Sequence, residues 1–403
     1  MRFRWTKLIS GVRMLLVVAA AFYLGVRYAD LRERVVNEFP AQELRTAEAR
    51  NDRINQPAEA VVAPAHFQDI DLSETRAALK RKIFGTRRDS HPPSVTNIAP
   101  STFASRYSGR AAFEQYYRQV FADHQIQAAE IDGAFEEIDG YRWRSVWLRR
   151  RAGEPEGLFI YHHGHDGSPF AFAPPNVLVR AMIERGYDVI VHSMPGIGWN
   201  GIGPVRIKTW DGWGRLTGRR NEKHDLFAMV DTGGGHFIKF FVEPVLASVD
   251  LVLSKRSYPK IMMTGHSGGG WTTTIAAALD ERIDYSISYA GSLPFFARLR
   301  PRDLGDAEQT DSAFYRNFSY PLLYELASGS AEGKRVHYQV YNDSDSCCFD
   351  GSSAAAFQRY LAGRPQRPDR DLRIAVVRNS GHYMVADAVL DIIGRLGPMQ
   401  AAQ

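Results

Sequence analysis

The stretch Lys260-Ile-Met-Met-Thr264 runs directly into Gly265-His-Ser-Gly-Gly269, and this junction decides the fold. The apolar run predicts a short buried strand, and the spacing from Trp271 to Leu279 predicts a helix directly after the junction. Glycines on both sides of Ser267 permit the sharp strand-to-helix turn that lifts a serine hydroxyl clear of the backbone. The pattern therefore predicts that Ser267 is a nucleophile at the end of a strand.

Short apolar runs alternate with amphipathic segments on both sides of this junction. Strands are predicted at 128–137, 142–149, 158–161, 188–192, 260–264, 285–289, 336–341 and 373–377, and helices at 111–121, 177–185, 237–253, 271–279, 353–361 and 384–396. Asp139-Gly140 predicts a hairpin turn between the first two strands. The alternation predicts an α/β fold, in which a mostly parallel sheet carries helices on both faces. Active sites in such sheets lie beyond the carboxyl ends of the strands.

A serine hydroxyl needs a base, and the base needs a carboxylate that fixes its tautomer. His382 follows the last predicted strand and is the predicted base. Asp343 and Asp345 both follow the preceding strand. Asp345 is preferred because the extra residues let it reach farther from the strand end, and Asp343 remains the alternative acid.

An oxyanion needs preorganised N–H donors. The amide of Gly268, directly after the serine, is the first predicted donor. The amide of His165, in the loop after the strand at 158–161, is the second.

The same loop carries His162, His163, His165 and Asp166, which suggest a metal site as an alternative. No complete ligand set can be named from the sequence, so neither a metal nor any other cofactor is predicted.

Three segments resemble the α/β-hydrolase superfamily: Gly265–Gly269, the loop at His163-Gly164, and the strand that leads into Pro195-Gly-Ile-Gly198. The similarity extends over residues 128–396. It implies an eight-stranded sheet, a serine triad in the order Ser, Asp, His, no metal, and turnover through an acyl-enzyme. The adjacent Cys347 and Cys348 have no role in the general pattern of the superfamily.

The first 102 residues differ in character from the rest. Leu8 to Val26 is apolar except for Ser10 and Arg13, and basic residues precede its densest part, so residues 1–27 predict an N-terminal transmembrane or signal anchor. Cleavage as a signal peptide is the alternative. Residues 28–102 are predicted to be a stalk or linker with short helices, and residues 103–398 the hydrolase domain. We expect a single-pass, membrane-anchored protein whose hydrolase domain is extracytoplasmic.

The composition excludes some partners and leaves the state of the cysteines open. The formal net charge is +5, but 50 basic residues are interspersed with 45 acidic ones. Without a basic track that contains aromatic residues, no nucleic-acid partner is predicted. Cys347 and Cys348 are interpreted as small buried thiols, with a vicinal disulfide as the alternative that an oxidising compartment would permit.

Insertions near 199–235 and 292–333 are predicted to form caps over the strand ends. Trp199, Trp210 and Trp213 are expected to pack within the first cap, and the alternative is that they line the pocket against a sugar ring or an acyl chain. The predicted function is a serine hydrolase that cleaves a carboxylic ester of a small molecule, glycan or lipid. The alternatives are an acyltransferase with the same triad and a non-catalytic binding protein with this fold.

Overall fold

The computed structural model describes residues 70–86, 92–107, 111–216, 224–298, 305–330, 335–363 and 369–396. These residues build one sheet of eleven strands. The strands are β1 Ser94–Ile98, β2 Ile126–Phe135, β3 Ile138–Arg150, β4 Leu158–His162, β5 Asp188–His192, β6 Val205–Thr209, β7 Gly212–Leu216, β8 Ile261–His266, β9 Tyr285–Tyr289, β10 Val336–Asn342 and β11 Asp371–Val377.

The sheet has the order β1-β2-β3-β5-β4-β8-β9-β10-β11, and the β6-β7 hairpin is attached to β3. From β5 to β11 every neighbouring pair is parallel. Strands β1, β2 and β3 are antiparallel to their neighbours. Every residue of β4, β5, β8, β9 and β10 is buried, as expected for parallel strands covered on both faces. The prediction of a mostly parallel sheet is therefore confirmed.

The predicted number of eight strands was too small. The eight predicted strands are present, and β1, β6 and β7 are additional. β1 lies at the edge of the sheet and is mostly exposed, and β6 alternates between buried and exposed residues, so both lack the apolar run that marked the central strands.

The helices cover both faces of the sheet. They are α1 Leu72–Phe84, α2 Pro100–Tyr107, α3 Ala111–Asp123, α4 Ala173–Glu184, α5 Asp225–Ala228, α6 Lys239–Leu253, α7 Gly268–Leu279, α8 Ala307–Thr310, α9 Ser312–Tyr315, α10 Tyr320–Ser328, α11 Gly351–Ala362 and α12 Ala386–Arg395. One core contains apolar residues of α2, α3, α4 and α12 together with Phe159 and Tyr161 of β4. α7 lies against α1, α6 and α10.

Residues 70–86 and 92–102 require a correction to the predicted linker, because the structure packs them into the fold. Leu79 and Ile83 of α1 are fully buried. The buried Arg76 donates hydrogen bonds to the carbonyls of Leu326 and Gly329 at the end of α10, at 2.7 and 2.8 Å. β1 pairs with β2 along its whole length. The polar composition that predicted a linker reflects the exposed face of α1 and the edge position of β1.

The predicted turn at Asp139-Gly140 was wrong by a few residues. β2 and β3 are joined by a turn at Glu136-Glu137, since Phe135 pairs with Ile138. Gly140 lies inside β3 at an irregularity of the register, with φ of 85°. Glycine adopts this left-handed conformation without strain. The same property makes glycine common in turns, which is why the sequence predicted a turn at Gly140.

The predicted anchor at 1–27 lies outside the described residues, as does the linker up to residue 69. Among the described helices, none combines the length and apolarity that crossing a bilayer requires.

The two insertions are built differently. The described part of the first contains the β6-β7 hairpin and α5, and β6 extends the sheet by pairing with Ile138 and Asp139 of β3. The second contains α8, α9 and α10. Trp199 donates its indole N–H to the carbonyl of Arg144 and packs against Tyr107, whereas Trp210 is 90% exposed.

Candidate active site

Ser267 occupies the turn between β8 and α7. Its φ of 56° and ψ of −127° are unusual for a residue with a side chain. Its amide is held at 2.9 Å from the carbonyl of Tyr289 on the next strand. A Cβ on Gly269 would lie 2.0 Å from the carbonyl oxygen of His162, so the turn packs against β4 too closely for any side chain at that position. This close packing explains the glycines that flank the serine.

His382 lies in the loop between β11 and α12. Its Nε2 is 3.0 Å from the Oγ of Ser267. Two asparagines fix this loop: the amide groups of Asn342 and Asn379 each donate to the carbonyls of Gly381 and Tyr383. The predicted base is therefore within proton-transfer distance of the predicted nucleophile.

Asp345 follows β10 and holds the other side of the imidazole. Both of its carboxylate oxygens lie 3.0 Å from the Nδ1 of His382. Oδ1 also accepts from the amides of Cys347 and Cys348, and Oδ2 accepts from the amide group of Asn342. Burial raises the pKa of this carboxyl, but the hydrogen bond and charge of His382 and the two amides outweigh burial and hold the pKa below its usual value.

Asp343, the alternative acid, points elsewhere. It is exposed, and its Oδ1 accepts a hydrogen bond from the amide of Asn379 at 2.9 Å. The structure thus brings Ser267, His382 and Asp345 together and leaves Asp343 to stabilise the neighbouring loop.

Cys347 and Cys348 are bonded to each other, which corrects the interpretation as free buried thiols. Both are only partly buried, and both line the cavity described below. Sequence proximity alone does not determine the oxidation state of two sulfurs, so the sequence left the alternative open.

The loop Gly164-His165 lies against the serine turn. A Cβ on Gly164 would be 2.8 Å from the Cβ of Ser267 and 3.3 Å from the amide nitrogen of Gly268. Gly268 is the first residue of α7, and the first four N–H groups of a helix have no partner within it. The two backbone segments predicted to donate to an oxyanion therefore lie side by side next to the hydroxyl.

The metal site considered from the sequence does not form. The Nδ1 of His162 bonds the carbonyl of His163, and the Nε2 of His163 bonds that of Asp166. Burial lowers the pKa of His162 to about 3 and that of His163 to about 4. Both rings are therefore neutral, buried parts of the core.

The side chain of His165 instead joins a cluster that the sequence did not reveal. Its Nε2 lies 3.2 Å from the Nδ1 of His224, 2.8 Å from the Oδ2 of Asp306 and 3.1 Å from the Oε1 of Glu308. Burial lowers the pKa of His165, and the two carboxylates raise it by more, to about 10. His224 and Glu308 lie in the two insertions, where no motif or regular spacing marks them.

A cavity of about 660 Å³ opens onto Ser267 and His382. It is lined by apolar groups (Tyr161, Phe172, Pro174, Pro175, Phe349, Met384), by the disulfide, and by polar groups including Asp306 and Gln309 of the second insertion. No tryptophan is among the lining residues in the described part of the chain, so Trp199, Trp210 and Trp213 do not contact this space.

Comparison with known proteins places the fold. No family model and no curated protein matches the sequence. Among solved structures, acetyl xylan esterase 1 from Thermoanaerobacterium sp. JW/SL YS485 is similar with a TM-score of 0.50 and 14% identity, covering 81% of this chain and 94% of that one. Methylesterase BT1017 is similar with a TM-score of 0.49 and 13% identity, covering 87% and 68%. The chain therefore shares its overall fold with acetyl xylan esterase 1, as the resemblance noted in the sequence predicted.

Proposed function

We propose that the protein is a serine hydrolase that cleaves carboxylic esters, with Ser267, His382 and Asp345 as its catalytic triad. The observation that carries the proposal is the continuous chain of contacts from carboxylate to imidazole to hydroxyl, each at 3.0 Å. Serine hydrolases on unrelated folds share this arrangement, which is identified by geometry and roles.

The proposed mechanism uses these groups in two half-reactions. The Oγ of Ser267 attacks the acyl carbon while the Nε2 of His382 takes the hydroxyl proton. The amides of Gly268 and His165 donate to the resulting oxyanion. When the tetrahedral intermediate collapses, the imidazolium protonates the leaving alcohol, and the acyl group stays on the serine. Water then attacks this ester, again with His382 as base, and releases the acid.

Asp345 serves the base in two ways. By accepting from Nδ1 it keeps the lone pair of His382 on Nε2, which faces the serine. Its charge also stabilises the imidazolium that forms during each half-reaction. The lowered pKa of Asp345 keeps it ionised throughout the neutral range.

The cavity supports a small or medium-sized ester as substrate. Its volume of about 660 Å³ lies within the range typical of small-molecule sites. The fold similarity to an acetyl xylan esterase makes acetylated glycans a reasoned first choice, alongside simple aryl esters.

The test is hydrolysis of p-nitrophenyl acetate and butyrate and release of acetate from acetylated xylan. We expect Ser267→Ala and His382→Ala each to lower kcat by at least about 10³-fold. Ser105→Ala, on the exposed face of α2, is the matched control and should change kcat less than about twofold. Full activity in Ser267→Ala would refute the proposal.

An acyltransferase with the same triad would pass the acyl group to an alcohol or amine. Product analysis with and without such acceptors distinguishes hydrolysis from acyl transfer. We expect the free acid to be the main product whether or not an acceptor is present.

We further propose that the N-terminal apolar segment anchors the domain to a membrane, with the domain on the extracytoplasmic side. Its support is the basic-then-apolar pattern of residues 1–27. The full chain should sediment with membranes and be digested by protease added to spheroplasts; recovery of intact full-length chain in the soluble fraction would contradict the anchor.

A further inference from the structure

Four metal-ligating side chains converge beside the serine turn from three separate segments. His165 comes from the loop after β4, His224 from the first insertion, and Asp306 and Glu308 from the second. One ligand atom of each lies within 4.8 Å of all the others. Because these residues are far apart in the sequence, local chain geometry does not account for their convergence.

The shortest distances in the cluster, from 2.8 Å between His165 and Asp306 to 3.2 Å between the two histidines, are close to but below the edges of a tetrahedral coordination shell, and all of them are within 4.8 Å. Zinc–nitrogen and zinc–oxygen bonds of about 2.0–2.2 Å place neighbouring ligand atoms about 3.3–3.5 Å apart. The Nε2 of His165 lies 3.2 Å from His224 and 3.1 Å from Glu308. The Nδ1 of His224 lies 3.0 Å from Glu308. A small expansion of the cluster would admit the ion.

Hydrogen bonding alone leaves this cluster poorly satisfied. The Nε2 of His224 donates to the carbonyl of Pro195 at 3.2 Å, so in the neutral ring Nδ1 presents a lone pair toward the carboxylate of Glu308. A cation between this lone pair and the carboxylate removes the conflict.

Glu308 supplies a second, independent observation. Its side chain is fully buried, and Oε2 has no hydrogen-bond partner among the described residues. A buried carboxylate oxygen without a partner is costly, and because Oε1 makes the contacts within the cluster, only bidentate coordination of a metal would also satisfy Oε2. The hydrogen bond from His224 to a backbone carbonyl is also the outer contact that metal-binding histidines usually make.

We propose that His165, His224, Asp306 and Glu308 bind a structural Zn²⁺. Binding of the ion releases the proton that the carboxylates otherwise hold on His165. Two neutral imidazoles and two carboxylates then balance the charge of the ion, and four protein ligands close the coordination shell. The ion would tie both insertions to the loop of His165, next to Ser267. This proposal goes beyond ester hydrolysis and does not depend on it.

The experiment measures metal content, without reference to activity. Protein with its affinity tag removed is analysed by elemental mass spectrometry as purified, and again after chelator dialysis and addition of one equivalent of Zn²⁺. A competing fluorescent chelator then gives the affinity. We expect one tightly bound zinc per chain and a rise in Tm when zinc is restored.

Two ligand variants and one matched control locate the site. His224→Gln and Glu308→Gln should each weaken zinc binding by at least about 100-fold. His236→Gln is the control, because His236 is also a buried histidine paired with a carboxylate, Asp311, at 3.0 Å, but lies outside the cluster. Its zinc affinity should equal that of the wild type.

Cobalt substitution tests the geometry in the unaltered chain and decides the matter if the variants fail to fold. Tetrahedral Co²⁺ gives an intense visible absorption band, and six-coordinate Co²⁺ a weak one; we expect the intense band. A wild-type chain that takes up no metal, a weak band, or ligand variants that bind zinc as tightly as the control would overturn the proposal.

Discussion

Asp345→Asn changes one atom of the carboxylate, and the contacts of Asp345 dictate how the new side chain must sit. Oδ1 accepts from the amides of Cys347 and Cys348, so the asparagine oxygen must take that position. The NH₂ group then occupies the position of Oδ2, where it faces the donating NH₂ of Asn342 and the Nδ1 of His382.

The imidazole can relieve this donor–donor conflict only by changing tautomer. With Nδ1 accepting, the proton moves to Nε2, which lies 3.0 Å from the Oγ of Ser267. The base then has no lone pair for the serine proton, and it loses the charge that stabilises the imidazolium. We expect kcat to fall by about 10³- to 10⁴-fold, the effect of this change in a Ser-His-Asp triad.

Asp343→Asn is the matched control, two residues away. Its carboxylate accepts one hydrogen bond, from the amide of Asn379, and an asparagine oxygen can replace it. The assay is kcat for p-nitrophenyl acetate at pH 8, with circular dichroism to verify folding. Equal losses in the two variants, the reverse order, or less than a tenfold loss in Asp345→Asn would refute the reasoning.

Three further predictions concern packing and pH. Gly164→Ala should lower kcat/KM at least ~100-fold, because the added Cβ would lie 2.8 Å from the Cβ of Ser267. Gly203→Ala is the control and should leave kcat/KM unchanged, because no atom lies within 4 Å of the Cβ that it adds. Equal activities of the two variants would contradict this. Arg76→Met should lower the free energy of unfolding by about 1–2 kcal/mol, because the carbonyls of Leu326 and Gly329 lose the nearer of their two donors and keep only the longer bonds from Arg335, whereas the exposed Arg81→Met should change it by less than ~0.5 kcal/mol; similar urea midpoints would refute this role. Burial lowers the pKa of His337 to about 3, so below pH ~6.5 the unfolded chain binds a proton at this residue that the folded chain does not; the contribution of His337 to stability is complete above that pH and falls by about 1 kcal/mol per unit as pH decreases toward 3. In urea unfolding between pH 7 and 4.5, the slope of stability against pH should therefore be about 1 kcal/mol per unit smaller in His337→Gln than in the wild type; an unchanged slope in the variant would contradict it.

The centre of the fold was predictable because burial on both faces leaves a strong signal. Strands such as β4 and β5 are continuous apolar runs, and their predicted bounds differ from the observed ones by at most one residue. β1 and β6 escaped prediction because β1 is mostly exposed and β6 buries only alternate residues, so only their pairing partners identify them.

The candidate site likewise contains residues that the sequence predicts and residues that it does not. Ser267 and His382 could be placed because each follows a strand end in a recognisable context. The choice of Asp345 over Asp343 rested on reach alone, and the two amides that hold Asp345 were not predictable. His224 and Glu308 meet His165 only through tertiary packing of the insertions, which no local pattern encodes.

Labelling with a fluorophosphonate probe tests the central claim most directly, because such probes react with an activated serine hydroxyl. Peptide mapping by mass spectrometry should locate one adduct per chain, on Ser267, with labelling abolished in Ser267→Ala and strongly slowed in His382→Ala. Wild-type protein that takes up no probe, or an adduct on another residue, would contradict the account.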